Sequence, residues 1–401
     1  MNPKPLIPLE EAQARLLALA KPLGSAIVPV EEAVGHYLAE PLLARRTQPA
    51  ADLSAMDGYA VGEADLSGPW RVIGESAAGH PFAGTLAPRE AVRISTGAMM
   101  PSGGGAVLLQ EDAILDGGTL RLSGSDSATP RHIRRKGFDF AEGDLLLEAG
   151  SRIGPAQLAL AIGSGHGELP VGRRASLCVI DSGDELASDP AQALGHQIPA
   201  SNGPMLATMA APFVGECRRI GPVADRLEAL VAAFEQTGDA DVIVTSGGAS
   251  VGDHDLVRPA LEAWGATIDF WRIALRPGKP LLVARKGTTL VLGLPGNPVS
   301  SYVTAFLFLL PLLRNLAGAG NPLPKSILLP LGGVLPETGP RTEFYRASLE
   351  PGGVLPYDQR DSSALRSLAA ANALIARRAG AAAASVGDTV EVFPLQNGGI
   401  A

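Results

Sequence analysis

The sequence predicts a multidomain protein of mixed α/β and β class, with a doubly wound α/β domain at its centre. Strand-like and helix-like segments alternate from residue 172 to about residue 320. Short apolar runs separated by Gly, Pro and Ser fill residues 46–150 and return after about residue 325, as in all-β modules. The length of 401 residues also exceeds one average domain, so several domains are expected.

Residues 8–44 and 151–169 carry helical periodicity and are predicted to be helices that pack together. The α/β region begins with the strand-like run ASLCVI and ends with a long predicted helix over 298–316. Alternation of this kind predicts a mostly parallel sheet, and ligands bind such sheets beyond the carboxyl ends of the strands. After residue 325, three β-like runs surround an alanine-rich stretch that composition alone allows to be a helix or a loop.

Composition excludes several classes of function. The formal net charge of -8 argues against a general nucleic-acid binder, so any anionic ligand must be held by local basic groups. The two cysteines, Cys178 and Cys217, fit a reducing cytosol and build neither a disulfide framework nor a zinc pattern. The N-terminus lacks the apolar run of a signal peptide. The segment 302–313 is too short to span a bilayer and is expected to be broken by Pro311, so it is predicted to be a buried core helix. We therefore expect a soluble, cytoplasmic protein without nucleic-acid or membrane partners.

The segment DADVIVTSGGASVGDHD (239–255) follows a predicted buried strand over 241–245, where a ligand is expected. Ser246, Gly247 and Gly248 would let backbone N–H groups approach an anion, although no Walker A lysine follows. Asp255 instead suggests a cation. A tight turn that needs glycine for its geometry is the simpler alternative. His254 has no partner at metal-ligand spacing.

Two further segments carry charge near predicted strand ends. Asp184 and Glu185 in DSGDEL are adjacent carboxylates suited to Mg²⁺, with a solvated acidic turn as the alternative. In FWRIALRPGKPLL, Arg272 and Arg276 are predicted on one face of an extended segment, and Lys279 follows a Pro-Gly turn. Three such cations would suit an oxyanion, and a solvated basic strand is the alternative.

Loop residues complete the candidate set. Asn297 in LGLPGNPVSS is predicted to occupy the N-cap position of a helix whose free N–H groups would face an anion. Asp57 in SAMDGYA and Thr96 in RISTGAMMP precede glycines in predicted loops of the β module, where a β-turn is the structural alternative. Asp225 is predicted to be a helix N-cap, with Glu228 completing a capping box.

The order of these motifs, with GFD…GD and SNGPML between them, resembles the MoeA-type molybdopterin molybdenumtransferases, the family of the gephyrin E domain. The resemblance covers residues 5 to 320 and continues more faintly to the end. It implies a homodimer of four-domain chains with the site at the subunit interface. The implied domains are a helical linker domain (1–45 plus 150–171), an inserted-type β module (46–149), a MogA-like α/β molybdopterin-binding domain (172–324) and a C-terminal β-barrel (325–401).

The resemblance implies insertion of molybdate into adenylylated molybdopterin, with Mg²⁺, releasing AMP and molybdenum cofactor. It implies catalytic roles for Asp57, Thr96, Asp184, Glu185, Asp255 and Lys279. It implies substrate binding by Ser246, Gly247, Gly248, Arg272, Arg276, Pro295, Gly296, Asn297, Ser300, Asp139 and Asp225. Metal binding is implied for Asp57, Glu185 and Asp255.

The chain departs from the family pattern at a few positions: Ser182 stands where Thr is usual, Phe138 where Glu is common, Ala200 where an acidic or amide residue is frequent, and Arg272 and Arg276 where Lys is often found. Two alternative functions remain. One is a MogA-like adenylyltransferase that consumes ATP, and the other is a non-catalytic molybdopterin-binding or scaffold protein. A MogA-like adenylyltransferase and cofactor-accepting enzymes are possible protein partners.

Overall fold

The computed structural model describes residues 6–247 and 256–395, without the side chains of residues 270 and 271. The elements of its N-terminal part are α1 (Leu9–Leu19), β1 (Ser25–Pro29), β2 (Leu42–Leu43), β3 (Leu53–Ser54), β4 (Gly58–Val61), β5 (Trp70–Ser76), β6 (Glu90–Ile94), β7 (Ala106–Leu109), β8 (Ala113–Asp116), β9 (Thr119–Leu122), β10 (Ile133–Arg134), β11 (Leu145–Leu147), α2 (Pro155–Gly163) and β12 (Glu168–Gly172).

Helices form at α1 and α2 as predicted, but the predicted helix over the later part of 8–44 is wrong. Only a 3₁₀ turn, Val30–Ala33, forms there. Gly35 follows it with a φ of 83° that interrupts a helix, and β1 pairs antiparallel with β12. The residues around α2 do pack on this segment, in a core that joins Ala161 to Val30 and Ala33.

The β module is a six-stranded sheet in the order β7-β4-β6-β5-β9-β8. Its two faces bury separate apolar cores, one around Trp70 and one around Ile94. The prediction of a small all-β module is confirmed in the described residues.

The α/β domain contains the strands of the central sheet and the helices that cover it. Its elements are β13 (Ala175–Ser182), β14 (Leu186–Ala187), β15 (Ile198–Pro199), α3 (Asn202–Ala210), β16 (Val214–Val223), α4 (Leu227–Gln236), β17 (Val242–Ser246), α5 (Val257–Ala263), β18 (Thr267–Trp271), β19 (Leu275–Arg276), β20 (Leu282–Lys286), β21 (Thr289–Leu294), α6 (Pro298–Thr304) and α7 (Leu310–Leu316).

The central sheet has the order β16-β13-β17-β21-β20-β18, and β20 alone among these strands runs against the others. The predicted doubly wound, mostly parallel sheet is therefore confirmed. Helices α1, α3, α6 and α7 cover one face, and α4 and α5 cover the other. Because β13, β17 and β21 are parallel neighbours, their carboxyl ends lie side by side.

A single helix runs through α6, a π-helical turn (Ala305–Leu309) and α7. The expectation that Pro311 breaks it is wrong, since α7 continues past the proline to Leu316. Among the described residues, Pro298–Leu316 is the one helix long and apolar enough to cross a membrane, but 83% of its most apolar window is buried within the protein. The prediction of a buried core helix is confirmed.

The C-terminal part is a curled sheet that shares one strand with the α/β domain. Its elements are β22 (Ile327–Pro330), β23 (Thr342–Glu350), β24 (Gly353–Pro356), α8 (Leu365–Ala370), β25 (Ala373–Arg377) and β26 (Thr389–Pro394). The sheet order is β19-β23-β25-β26-β22, with β24 paired to β23. The alanine-rich stretch supplies both the short helix α8 and the buried strand β25. Strand β19 pairs with β23, so Arg276 lies opposite Glu343 at the boundary of the two domains.

Candidate functional site

The carboxyl ends of β13, β17 and β21 form one side of a cleft of about 660 Å³, which we call the strand-end cleft. In the sheet, Asp181 is the partner of Ser246, and Ser246 is the partner of Leu294. The cleft brings together eight of the candidate residues: Glu185, Asp225, Ser246, Gly247, Pro295, Gly296, Asn297 and Ser300.

Gly247 is required by the turn that follows β17. Its φ is 97°, and a Cβ there would lie 2.5 Å from the carbonyl oxygen of Ser182. Its N–H donates to the carbonyl of Leu294 at 3.3 Å. The tight-turn explanation therefore accounts for Gly247, and its N–H is already used. Gly248 and Asp255 lie outside the described residues.

Asn202 was not among the candidates, and it connects three elements of the cleft. Its Nδ2 donates to Ser246 Oγ at 2.9 Å and to the carbonyl of Gly296 at 2.7 Å. Because Asn202 begins α3, one side chain joins that helix to the turns after β17 and β21. The signal in the sequence was the motif SNGPML, whose asparagine precedes a glycine at a helix start.

Three exposed carboxylates, Asp184, Glu185 and Asp225, lie close to one another near the cleft. The N–H of Asp225 donates to Asp184 Oδ1 at 3.1 Å. Partial burial and the negative charges of Asp184 and Glu185 raise the pKa of Asp225, whereas a hydrogen bond from the Asp184 backbone to the Asp225 carboxyl lowers it. Glu185 and Asp225 line the cleft, whereas Asp184 does not. Within 6–247 and 256–395, no group of three or more His, Cys, Asp or Glu residues is arranged to hold a metal ion.

The prediction that Asp225 caps a helix is wrong. Helix α4 begins one residue later, with Arg226 at the N-cap position and no side-chain cap. Asp225 instead donates its N–H to Asp184 Oδ1, its carboxyl accepts a hydrogen bond from the Asp184 backbone, and it lines the cleft.

Asp181 is a second residue that the sequence analysis did not select. It is only 4% exposed, it lines the cleft, and its carboxyl accepts the N–H of Gly203 in the first turn of α3. Burial raises the pKa of Asp181 to about 6, and the charge of Arg219 and the Gly203 hydrogen bond oppose that rise. A Cβ on Gly203 would lie 1.9 Å from Asp181 Oδ2, so the helix start is packed directly on the carboxyl. The signal in the sequence was an aspartate that directly follows the apolar run CVI, in the segment CVIDSGDEL.

A second, smaller cavity of about 330 Å³ lies between α6 and the C-terminal domain, and we call it the basic pocket. Its charged and polar lining residues include Arg276, Lys279, Ser300, Arg341, Glu343, Tyr345, Arg346, Arg360 and Asp361. Arg276 and Lys279 were predicted to bind an oxyanion. The three other arginines come from the C-terminal domain, where the sequence resemblance is faint, so they were missed. Ser300 lines both cavities.

The cations of the basic pocket differ in how far they are already paired. Arg276 Nη1 lies 3.4 Å from Glu343 Oε1, and Tyr345 donates to Glu343 Oε2 at 2.7 Å. Burial, that hydrogen bond and the charge of Glu343 raise the pKa of Tyr345 to about 12. In the described part of the chain, Lys279 and Arg341 form no ion pair, so their charges remain for a ligand.

Arg346 also lines the basic pocket, and its side chain is used in main-chain hydrogen bonds. Its guanidinium donates to the carbonyls of Gln359, Asp361 and Ala364, and it is 5% exposed. Burial lowers the pKa of Arg346, against the opposing charge of Asp361. Arg346 therefore fixes the 359–364 loop that closes the pocket.

The prediction that Arg272 and Arg276 share one face of an extended segment is wrong. Arg272 has a φ of 81°, so the chain changes direction after β18, and β18 and β19 are separate strands. Arg272 lines neither cavity, and its buried Nε has no hydrogen-bond partner among the described residues. Its main chain bonds instead to Leu281 and Ile7.

Asn297 occupies the N-cap position of α6 and Pro298 the first turn, as predicted. The N–H of Val299, however, donates to the carbonyl of Ser362 at 3.0 Å, and Asn297 Nδ2 donates to Ser362 Oγ at 2.9 Å. The expectation of N–H groups free for an anion is therefore wrong for Val299. The C-terminal domain satisfies that donor instead.

The candidates of the β module form a separate group. Asp57 Oδ1 accepts the N–H of Thr96 at 2.7 Å, so these two loops meet. Asp139 is exposed, and its N–H donates to the carbonyl of Gln48. None of the three lines the strand-end cleft or the basic pocket of its own chain. Phe138, which precedes Asp139 in the chain, is 76% exposed.

The fold and the two adjoining cavities define a multidomain chain whose α/β domain shares the basic pocket with a C-terminal β domain. Its three parts match three family models in order. Residues 7–165 match the MoeA N-terminal region (domain I and II), 178–315 match a probable molybdopterin binding domain, and 329–395 match the MoeA C-terminal region (domain IV).

Curated relatives agree with these matches. A molybdopterin molybdenumtransferase of Haemophilus influenzae is 35% identical over 318 residues, which is 78% of each chain. One of Bacillus subtilis is 34% identical over 409 residues, covering 97% of this chain and 94% of the relative. A solved MoeA structure from Pyrococcus horikoshii OT3 has 25% identity and a TM-score of 0.84, covering 97% of this chain and all of that one. The chain therefore belongs to the molybdopterin molybdenumtransferase family of molybdenum cofactor biosynthesis, and it is an enzyme.

Proposed function

We propose that this enzyme inserts molybdate into adenylylated molybdopterin and releases AMP and molybdenum cofactor. One observation carries this proposal: Ser300 lines both the basic pocket and the strand-end cleft. A small oxyanion in the first cavity would then lie next to a larger organic ligand in the second. The reaction that the relatives' name describes requires that arrangement.

Molybdate is the proposed ligand of the basic pocket. Arg276, Lys279 and Arg341 converge there, and charge-assisted hydrogen bonds from such groups are about twice as strong as neutral ones. The volume of about 330 Å³ suits a small anion with part of its hydration. The hydroxyl of Ser300 would add a neutral donor from the side of the cleft.

Adenylylated molybdopterin is the proposed ligand of the strand-end cleft. Asn202 holds the turns after β17 and β21 in place, so the cleft is formed before the substrate binds. Fixed polar groups of this kind stabilise developing charge without having to reorganise. The chain's own residues would bind and orient the phosphoanhydride, and no covalent nucleophile is proposed.

Mg²⁺ is the proposed metal cofactor. Its preferred ligands are carboxylate and other oxygens, and Glu185 and Asp225 line the cleft, whose described lining residues include no Lys or Arg. The raised pKa of Asp225 fits this idea, because the crowded negative charges would be relieved by a cation. Glu185 and Asp255 would hold the ion, together with Asp57 of a second copy. When bound, Mg²⁺ would neutralise charge on the phosphate oxygens.

We further propose a homodimer in which the β module of one copy completes the site of the other. Asp57 and Thr96 line neither cavity of their own chain, which supports this arrangement. Mixing Asp57→Asn and Lys279→Ala chains tests it. A shared site predicts that the mixture recovers activity, because each hybrid dimer contains one intact site. Two inactive variants that remain inactive after verified subunit exchange would contradict the shared site.

The reaction itself is tested by AMP release from adenylylated molybdopterin in the presence of molybdate. Glu185→Gln and Lys279→Ala should each lower the rate by at least about tenfold, since each removes a charge that faces the substrate. Glu216→Gln, an exposed acidic residue of β16, is the matched control. Wild-type rates in both site variants would reject the assignment.

The comparisons do not favour the two alternatives. A MogA-like adenylyltransferase would account for residues 178–315 but not for the matches on either side of them. ATP consumption by the purified protein would support it, and ligand binding without turnover would support a scaffold. We retain as proposals a cytoplasmic location and contacts with a MogA-like adenylyltransferase or cofactor-accepting enzymes.

A further inference from the structure

The strand-end cleft has a charge opposite to that of the basic pocket. Asp181, Glu185 and Asp225 line it, and among its described lining residues there is no Lys or Arg. A phosphate group is therefore not what the floor of this cleft attracts. The deepest charged group is Asp181, at 4% exposure, whereas Glu185 and Asp225 are exposed at the rim.

The walls of the cleft are apolar and suit a flat ring. Leu186, Ile198, Pro280, Pro295 and Leu365 all line it. A volume of about 660 Å³ lies in the ordinary range for small-molecule sites, which combine apolar walls with a few fixed polar groups. An uncharged or weakly charged heterocycle fits these walls better than a pyrophosphate does.

The floor has unused capacity to accept hydrogen bonds. A carboxylate has about four acceptor positions, and the Gly203 N–H is the donor found for Asp181 in the described residues. Beside it, Ser182 Oγ is buried and has no hydrogen-bond partner there. Buried polar groups left unpaired destabilise the fold, so a ligand that pairs with them gains affinity.

We propose that Asp181 is a specificity-determining residue that accepts hydrogen bonds from the N–H groups of an amino-substituted heterocycle at the ring end of the substrate. This inference rests on the proposed function and adds to it which chemistry the floor of the cleft recognises. Adenylylated molybdopterin offers two such rings, adenine and the pterin. A pterin carries an amino group next to a ring N–H, so it can match both oxygens of one carboxylate.

The surroundings of Asp181 determine how its affinity for a ring depends on pH. Arg219 of β16 is the cation that acts on it, the Gly203 N–H of α3 donates to it, and Ser246 of β17 is its uncharged neighbour. Glu185 and Asp225 lie at the rim of the same cleft. An N–H donor binds the ionised carboxylate better, so ring binding should weaken as the pH falls below about 6, the pKa of Asp181.

Calorimetric titration of the full chain at pH 7.5 tests the inference with two ligand pairs. AMP is compared with purine riboside 5′-monophosphate, which lacks the amino group, and pterin is compared with pteridin-4-one, which lacks the 2-amino group. In at least one pair, the amino compound should bind wild type about tenfold more tightly than its partner. The pair that shows the difference identifies the ring.

Asp181→Asn and Asp181→Ser should abolish that preference, while Asp239→Asn at the opposite end of β17 should keep it. The weakening below pH 6 should also disappear in both Asp181 variants. Equal binding of amino and deamino compounds by wild type would overturn the inference, and so would an unchanged preference in Asp181→Asn. Failure of wild type to bind any of the four compounds at millimolar concentration would overturn it as well.

These outcomes are separable from failure of the proposed function. That function fails if molybdate does not bind or AMP is not released, and neither assay reports a preference between ring analogues. The comparison of analogues on wild type also needs no variant, so a folding defect in Asp181→Asn cannot hide the result.

Discussion

Asp181 shows how much stability one buried carboxyl group can cost. Burial raises its pKa from the ordinary 3.8 to about 6, so the folded state holds a proton that the unfolded state has already lost between these values. Stability is therefore greatest below pH 4 for this group and falls as the pH rises toward 6. A shift of this size corresponds to about 3 kcal/mol. Because the buried Asp181 carboxylate lowers the free energy of unfolding, its presence at the cleft is consistent with the proposed role in binding a ligand.

Asp181→Asn should raise the melting temperature at pH 7.5, because the amide removes a buried charge and can still accept the Gly203 N–H. The gain in unfolding free energy should be about 1–3 kcal/mol. At pH 4.5 the gain should be much smaller, since wild type is then largely protonated. Thermal melts at the two pH values measure the difference. An equal effect at both would contradict a charge-based cause.

Gly203→Ala should disturb the same carboxyl from the other side. The new Cβ would meet Asp181 Oδ2 at 1.9 Å, so either α3 or the carboxyl must move. We expect a loss of about 1–3 kcal/mol and weaker binding in the strand-end cleft. Gly163→Ala at the end of α2 is the control, since a Cβ there meets nothing within 4 Å. Chemical denaturation should show it to be neutral or slightly stabilising.

At the scale of elements, the helix Pro298–Leu316 passes a proline because another helix supplies a donor. Pro311 has no N–H for the carbonyl of Leu307, four residues earlier. The side chain of Gln13 in α1 donates to that carbonyl at 2.9 Å, and the π-helical turn lies at the same place. Pi-helical turns and inserted side chains are known means of accommodating a proline in a helix. The contact also fixes α1 on the α/β domain.

Gln13→Met should therefore destabilise the protein although it keeps the size and shape of the side chain. The Leu307 carbonyl would be left buried without this donor, at a cost of about 1–3 kcal/mol. Gln236→Met on the exposed end of α4 is the matched control and should change little. Denaturant titration of both variants gives the comparison. Equal stability of the two would show that the Leu307 carbonyl finds another donor.

The elements that the sequence predicted well are those whose patterns are local. Strands β13 and β17 are continuous apolar runs, and such runs predict buried parallel strands without tertiary information. The errors arose where long-range contacts override local preference. The segment after Val30 looked helical but contributes to a core with β12, and the Arg272–Arg276 segment looked extended but turns so that β19 can join β23.

At the scale of the whole molecule, the candidate site was only half predictable. The strand-end residues follow from the switch-point rule, because the loops after parallel strands meet at one edge. Arg341 and Arg346 of the basic pocket come from a domain that the chain reaches only after β20, β21, the helix Pro298–Leu316 and β22. No motif spacing in the sequence indicates that these arginines lie near Arg276 and Lys279 in the fold. The unselected Asn202 likewise acquires its importance only through its contacts with Ser246 and Gly296.

Because the two domains share the basic pocket, a residue whose guanidinium already donates to main-chain carbonyls should still control the affinity for molybdate. Arg346 holds the loop 359–364, and Ser362 of that loop receives the first N–H of α6. Arg346→Met would leave three carbonyls without their donor and loosen both the loop and the start of α6. We expect a loss of about 2 kcal/mol or more in stability and a clear loss of molybdate affinity.

Ring binding in the strand-end cleft should change less in this variant, because Asp181 and Asn202 are held by α3 and the central sheet rather than by that loop. Arg366→Met, an exposed arginine of α8, removes the same charge and serves as the control. Calorimetry with molybdate and with AMP separates the two cavities. If Arg366→Met lowers molybdate affinity as much as Arg346→Met does, the effect is one of overall charge, and the positioning role of the loop is refuted.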